Sequence, residues 1–277
     1  MIYVICWTLF SVIQDDSIFK NNWLHLKKKQ MKVFKYLPNF ITLLNLTMGI
    51  VAIYLSFIGG IEELGLASYF IFIAALFDFF DGFAARMLNA KSEIGLQLDS
   101  LADMVSFGVA PGFILYQMLA MSHGNPHEVL EGIDAFSLLA ILIPWGAALR
   151  LAKFNIDDTQ VNGFKGLPTP AMAFFIASLP LIRITLYEDR GMVYMIFTNA
   201  YFLGMVAILG FFLMTSSFPM FALKFKSFGW KDNEIKYVFL AISVVMLVAF
   251  KIVAVPFIII TYLFLSLVVY LINIQND

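Results

Sequence analysis

The sequence predicts an all-α integral membrane protein with about eight transmembrane helices. Three observations predict it. Of the 277 residues, 61% are hydrophobic and 13% are charged, a charged share about half that of soluble proteins. Apolar runs of about 20 residues, the length that crosses a bilayer as helix, recur along the whole chain. The basic residues are also distributed unevenly between the connections that join those runs. No polar stretch is long enough for a separate soluble domain, and no nucleic-acid partner is expected. The single Cys6 rules out an internal disulfide and a cysteine metal cluster.

Taken in order, Ile2 to Ile13 is apolar but too short to span, and no Lys or Arg precedes it as in a signal peptide. The spans are expected near 39–59, 67–88, 96–121, 135–155, 168–187, 192–214, 236–252 and 255–273. Pro38 opens the first and Pro168 and Pro170 the fifth, because proline is tolerated in a first helical turn. Pro111-Gly112 should kink the third. The seventh and eighth should form a hairpin that turns near Lys251 to Pro256.

The connections orient the spans. The N-terminus, the 88–95 turn, the 153–167 loop and the 215–236 loop fall on one side. With helix ends included, fifteen Lys and Arg lie there against three on the other, namely Arg183, Arg190 and Lys251. The positive-inside rule makes the richer side cytoplasmic, with both termini. The opposite loops carry Glu62, Glu63, Glu128, Glu131 and Asp134. His123 and His127 fall in one of them and are read as solvated rather than as metal ligands.

The chemistry concentrates between Asp78 and Asp103. The stretch reads Asp78-Phe-Phe-Asp81-Gly82-Phe-Ala-Ala85-Arg86, then eight residues, then Gly95-Leu-Gln-Leu-Asp99-Ser-Leu-Ala-Asp103. A carboxylate near the centre of a membrane helix costs roughly 2.5–3.5 kcal/mol, so four without compensation would cost on the order of 10 kcal/mol. On a helix, Asp78 and Asp81 lie about 60° apart and Asp99 and Asp103 about 40° apart. Two antiparallel helices joined by a short turn bring both pairs to one point. Such a cluster suits a hard divalent cation. Gly82, Ala84, Ala85 and Gly95 leave room for a bulky ligand, and Arg86 adds a planar donor for phosphate. The composite reads as a metal–phosphate site at a membrane surface. The competing reading is a pair of buried polar helices whose aspartates pair with basic residues.

The pattern D-x2-D-G-x2-A-R-x8-G-x3-D-x3-D resembles the signature of the CDP-alcohol phosphatidyltransferase family at every fixed position. Further segments resemble its phosphatidylserine synthase branch. They are Pro38-Asn39-Phe-Ile-Thr42-Leu-Leu-Asn45, Asp99-Ser100-Leu-Ala-Asp103-Met-Val-Ser106-Phe107-Gly108-Val-Ala-Pro111, and Phe164-Lys-Gly166-Leu-Pro168-Thr-Pro170-Ala. Ala148-Leu-Arg150-Leu-Ala-Lys153-Phe-Asn155 belongs with them, with Lys where Arg is usual. Together these resemblances cover about residues 33–230.

The resemblance implies a six-helix core over 31–215, followed by a cytoplasmic loop and C-terminal two-helix hairpin over 216–277. Residues 1–30 are then an upstream extension, with Met31 as the natural start. It implies transfer of a phosphatidyl group from CDP-diacylglycerol to L-serine at the cytoplasmic face of the cell inner membrane, and a homodimer. Asp78, Asp81, Asp99 and Asp103 would bind Mg²⁺ or Mn²⁺. Asp103 would be the general base. Gly82, Ala85, Arg86 and Gly95 would receive CDP-diacylglycerol. Arg150, Lys153, Lys165 and Asn155 are candidates for holding phosphate or serine. The alternatives are another acceptor (glycerol 3-phosphate or an inositol phosphate), an archaetidyl donor, or a cation transporter, since intramembrane aspartates also mark ion paths. The clustering of the aspartates and the lack of a second copy argue against transport.

Overall fold

The computed structural model describes residues 36–90, 92–124, 129–130, 133–156, 164–221, 229–230 and 233–276. The extension assigned to residues 1–30 lies outside them, as does His127.

Helix α1 (Leu37–Ile58) takes Pro38 in its first turn and stops at Gly59-Gly60. Both glycines adopt positive φ, which reverses the chain at little steric cost. Helix α2 (Ile61–Met87) runs back along α1. Both helices carry small buried residues, Gly49, Ala52 and Ser56 on α1 and Gly65, Ala67 and Ser68 on α2, which let neighbouring helices approach closely; Gly49 lies against Ser106, and Gly65 against Ile184 and Leu181.

The third span covers Glu93–Ala120. It opens as α3 (Glu93–Asp103), where Ser92 Oγ accepts the Gly95 N–H at 3.0 Å. It passes through a π-helical segment, Met104–Val109, and continues as α4 (Ala110–Ala120). The kink expected at Pro111-Gly112 thus takes the form of a widened turn just before the proline. Pro111 has no N–H to give, and the Ala110 N–H reaches back to Val105 O.

A short 3₁₀ turn (Ser137–Ile141) leads into α5 (Leu142–Ile156), the fourth span. Helix α6 (Thr169–Thr185) starts after Pro168, with Pro170 in its first turn. The sixth apolar run, expected as one span over 192–214, is broken into α7 (Met192–Phe197) and α8 (Ala200–Thr215). Asn199 causes the break. Its side-chain oxygen caps the N–H groups of Tyr201 and Phe202 and starts a new helix. The backbone of His123 bonds to Thr198 and Ala200 across the break.

Helices α9 (Glu234–Phe250) and α10 (Ala254–Asn276) meet at Lys251, whose φ is +50°. The rings of Phe239 and Tyr262 lie 5.8 Å apart, so the pair is an antiparallel hairpin turning where the sequence predicted.

Two ladders of two residues per strand join loops. The first pairs β1 (Val129–Leu130) with β2 (Ile133–Asp134). The second pairs β3 (Phe164–Lys165) with β4 (Pro219–Met220). Large side chains from the middle spans fill the core, among them Phe107, Ile114, Met118, Ile143, Ile176 and Leu179. The outer faces expose Phe79, Phe212 and Val248, as lipid contact requires. The chain is an all-α integral membrane protein: five described helical stretches are long and apolar enough to cross a bilayer, with α6 and α8 as shorter apolar helices.

Candidate active site at the carboxylate cluster

Helix α1 packs along both α2 and the third span, while α2 and the opening turns of α3 touch each other little. A cleft of about 710 Å³ remains between them. Its lining brings together Asp81, Gly82, Ala85, Arg86, Gly95 and Asp99, with Asn39 and Thr42 from α1. Deeper in the bundle, Asp78, Asp99 and Asp103 each bring a carboxylate oxygen within 4.8 Å of the others. Asp81 stands outside that trio but is 5% exposed. Asp81 Oδ2 and Asp99 Oδ1 are buried without a hydrogen-bond partner among the described residues. Buried acceptors are normally satisfied.

Neighbouring groups hold the cluster in place. Asn45 Nδ2 donates to Asp103 Oδ1 at 3.3 Å. The Ser106 hydroxyl donates to the Asn45 carbonyl at 3.0 Å, which ties α1 to the π-helical turn. A Cβ at Gly49 would fall 2.8 Å from Ser106 Cα, so this close approach needs a glycine. Gly82 is different. A Cβ there would meet only the Arg86 guanidinium, at 3.8 Å, and would otherwise project into the open cleft. Space at Gly82 therefore serves whatever enters the cleft rather than packing. At Gly95, a Cβ would come within 3.0 Å of Asn39 Oδ1 and Ser92 Oγ.

A second cleft, of about 370 Å³, is lined by Arg150, Lys153 and Lys165 together with Phe154, Met214, Thr215, Ser216 and Ser217. Arg150 is buried and its Nε lacks a partner among the described residues. Lys153 Nζ donates to Thr215 O at 3.0 Å. Gly166, next to Lys165, packs against the backbone of the residues that line this cleft. Its φ is +74°, and a Cβ would strike three backbone oxygens, those of Leu213, Met214 and Ser216, at 2.7–3.0 Å. Asn155 does not line this cleft. It exchanges hydrogen bonds with Ser100, at 3.0 and 3.1 Å, and so joins α5 to the helix that carries Asp99 and Asp103.

Sequence reasoning left several of these residues without a site role. Asn45 stands in the sequence only as the end of the segment Pro38 to Asn45, and the structure gives it a contact with Asp103. Thr215, Ser216 and Ser217 read only as the start of the 215–236 loop.

A family model described as CDP-alcohol phosphatidyltransferase matches residues 35–275. The chain belongs to the CDP-alcohol phosphatidyltransferase family. The chain is 39% identical over 135 residues to the CDP-diacylglycerol–serine O-phosphatidyltransferase of Bacillus subtilis (strain 168), covering 49% of this chain and 70% of that protein. It is 28% identical over 211 residues to the protein of the same name from Helicobacter pylori (strain J99), covering 75% and 80%. It is 31% identical over 159 residues to an archaetidylserine synthase of Methanothermobacter thermautotrophicus, covering 56% and 62%.

CDP-alcohol phosphatidyltransferases generally depend on a divalent metal, and the trio is an arrangement able to hold one. At 4.8 Å, two full negative charges repel by about 3 kcal/mol at an effective dielectric of about 20. A hard dication with oxygen ligands reverses that sign. The unpartnered oxygens of Asp81 and Asp99 fit the same donor set.

Proposed function

We propose that the protein transfers a phosphatidyl group from CDP-diacylglycerol to the hydroxyl of L-serine, giving phosphatidylserine and CMP. The convergence of Asp78, Asp99 and Asp103 beside a cleft containing Gly82 and Arg86 carries this reading. The names of the relatives support serine as the acceptor. The archaetidylserine synthase differs from the other two in its named product, and an acyl donor follows the other two.

Asp78, Asp81, Asp99 and Asp103 would hold one or two Mg²⁺ or Mn²⁺ ions. A metal held there would supply positive charge to offset the pyrophosphate and the departing CMP. Gly82 and Ala85 admit the pyrophosphate to the backbone of α2, Gly95 keeps the opposite wall low, and Arg86 donates to a phosphate oxygen. Asp103 accepts the proton of the serine hydroxyl, and Asn45 orients the carboxylate by donating from Nδ2 to Asp103 Oδ1. The hydroxyl oxygen bonds to the phosphorus that carries diacylglycerol, and the bond from that phosphorus to CMP breaks. Arg150, Lys153 and Lys165 hold the serine carboxylate, and Asn155 acts indirectly by holding α3 in place.

The catalytic core would span 31–215, with 216–277 forming the loop and hairpin. The site and both termini would face the cytoplasm at the cell inner membrane, and the protein would form a homodimer. The test is an acceptor panel with purified protein in lipid and metal, scored by mass spectrometry. Serine should yield phosphatidylserine and CMP. CMP release with glycerol 3-phosphate or an inositol phosphate and none with serine rejects the acceptor. Ion flux without CMP release would restore the transporter alternative.

A further inference from the structure

The carboxylate cleft and the basic cleft share one lining residue among the described residues, Phe154. The residue is 40% exposed. It lies one helical turn beyond Arg150, on the same face of α5. Its position is anchored by the next residue, because Asn155 exchanges hydrogen bonds with Ser100. Ser100 in turn lies between Asp99 and Asp103 on α3. The last turn of α5 is thereby tied to the carboxylate helix, with the ring between a cleft lined by three cationic side chains and one lined by carboxylates.

Resting on the reading above, we propose that Phe154 is a specificity-determining partition between the clefts, one that favours a nucleophile delivered from the basic side over water. Both nucleophiles undergo the same displacement. The oxygen of serine or of water bonds to the phosphorus bearing diacylglycerol, the bond from that phosphorus to CMP breaks, and the proton passes to Asp103. Serine yields phosphatidylserine and water yields phosphatidic acid. Water is much the more abundant of the two, so the site needs a barrier that excludes it and admits an amino-acid alcohol seated on Arg150. An apolar ring on the boundary supplies that barrier by disfavouring water at the mouth of the donor cleft. Shortening the side chain joins the two spaces and removes the discrimination.

The experiment measures phosphatidic acid and phosphatidylserine together, by mass spectrometry, for the full chain and for Phe154→Leu, Phe154→Val and Phe154→Ala at one subsaturating serine concentration. The ratio of phosphatidic acid to phosphatidylserine should climb as the side chain shrinks, by about tenfold for Phe154→Ala. A general loss of folding lowers both products together and leaves the ratio unmoved. Thermal melting and gel filtration identify folded variants, and Phe154→Leu, which keeps most of the apolar bulk, carries the test if Phe154→Ala misfolds. A flat ratio across the folded variants overturns the proposal, as does the loss of both products in folded Phe154→Leu. If the parent chain makes no phosphatidylserine, the functional reading itself has failed, and the parent arm shows this before any variant is compared.

Discussion

Asp103→Asn tests whether the carboxylate cluster is an electrostatically strained site maintained for function. The substitution keeps the side chain's volume and its Oδ1 acceptor, so the hydrogen bond from Asn45 survives. It removes one charge from a trio whose oxygens lie within 4.8 Å of one another. Two full charges at that separation cost about 3 kcal/mol at an effective dielectric of about 20, and Asp103 belongs to two such pairs. Even if context reduces this several-fold, metal-free protein should gain about 1 kcal/mol or more, a rise in Tm of about 2 °C or more for a chain of this size. Added Mn²⁺ should stabilise the variant less than the parent, because one anionic ligand is gone. Turnover with serine should fall by about 10²–10⁴-fold as the general base is lost. The assays are thermal melting in EDTA and in Mn²⁺, beside CMP release and donor affinity. A lower Tm in EDTA would refute the strain argument. Donor affinity falling in step with turnover would make Asp103 chiefly a metal ligand and send the search for the base elsewhere.

Chelation should abolish CMP release, and Mg²⁺ or Mn²⁺ should restore it; turnover that persists in excess EDTA would show the carboxylates acting without a metal. Gly82→Ala should melt like the parent, because a Cβ there meets only Arg86, at 3.8 Å, while the KM for CDP-diacylglycerol rises about tenfold as the methyl intrudes on the donor. An unchanged KM would mean that the donor does not approach this wall. Gly166→Ala should destabilise by about 1–3 kcal/mol, since it combines a positive φ with backbone oxygens in the path of the new methyl. An unaltered Tm would show that the loop beside the basic cleft shifts freely.

Much of the fold was legible because span length and proline position are local properties. Helices α1, α6, α9 and α10 begin and end within a few residues of where apolar runs, prolines and a turn near Lys251 placed them, while α2 starts earlier than expected, at Ile61, and α5 later, at Leu142 after a 3₁₀ turn. Two departures show where local rules compete. Asn199 caps a new helix inside an apolar run that hydropathy reads as continuous. Pro111 widens the turn before it, because the missing N–H acts on carbonyls upstream.

At the site, the one-dimensional spacing of the aspartates determined that carboxylates of the two helices would meet, since helical periodicity puts each pair on one face, although Asp81 stands outside the trio that Asp78, Asp99 and Asp103 form. The glycines and Arg86 follow from the same periodicity. Which three oxygens come within 4.8 Å depended on how α1 holds the third span, through Gly49, Ser106 and Asn45. Contacts between residues some sixty positions apart leave no mark in local spacing. For the same reason only the tertiary structure separated Asn155 from the basic cleft and joined it to Ser100, 55 positions away. It also set Phe154 on the boundary of two spaces whose walls come from five different helices. Periodicity decides the face on which a side chain lies, and the packing of one helix on another decides what that face meets.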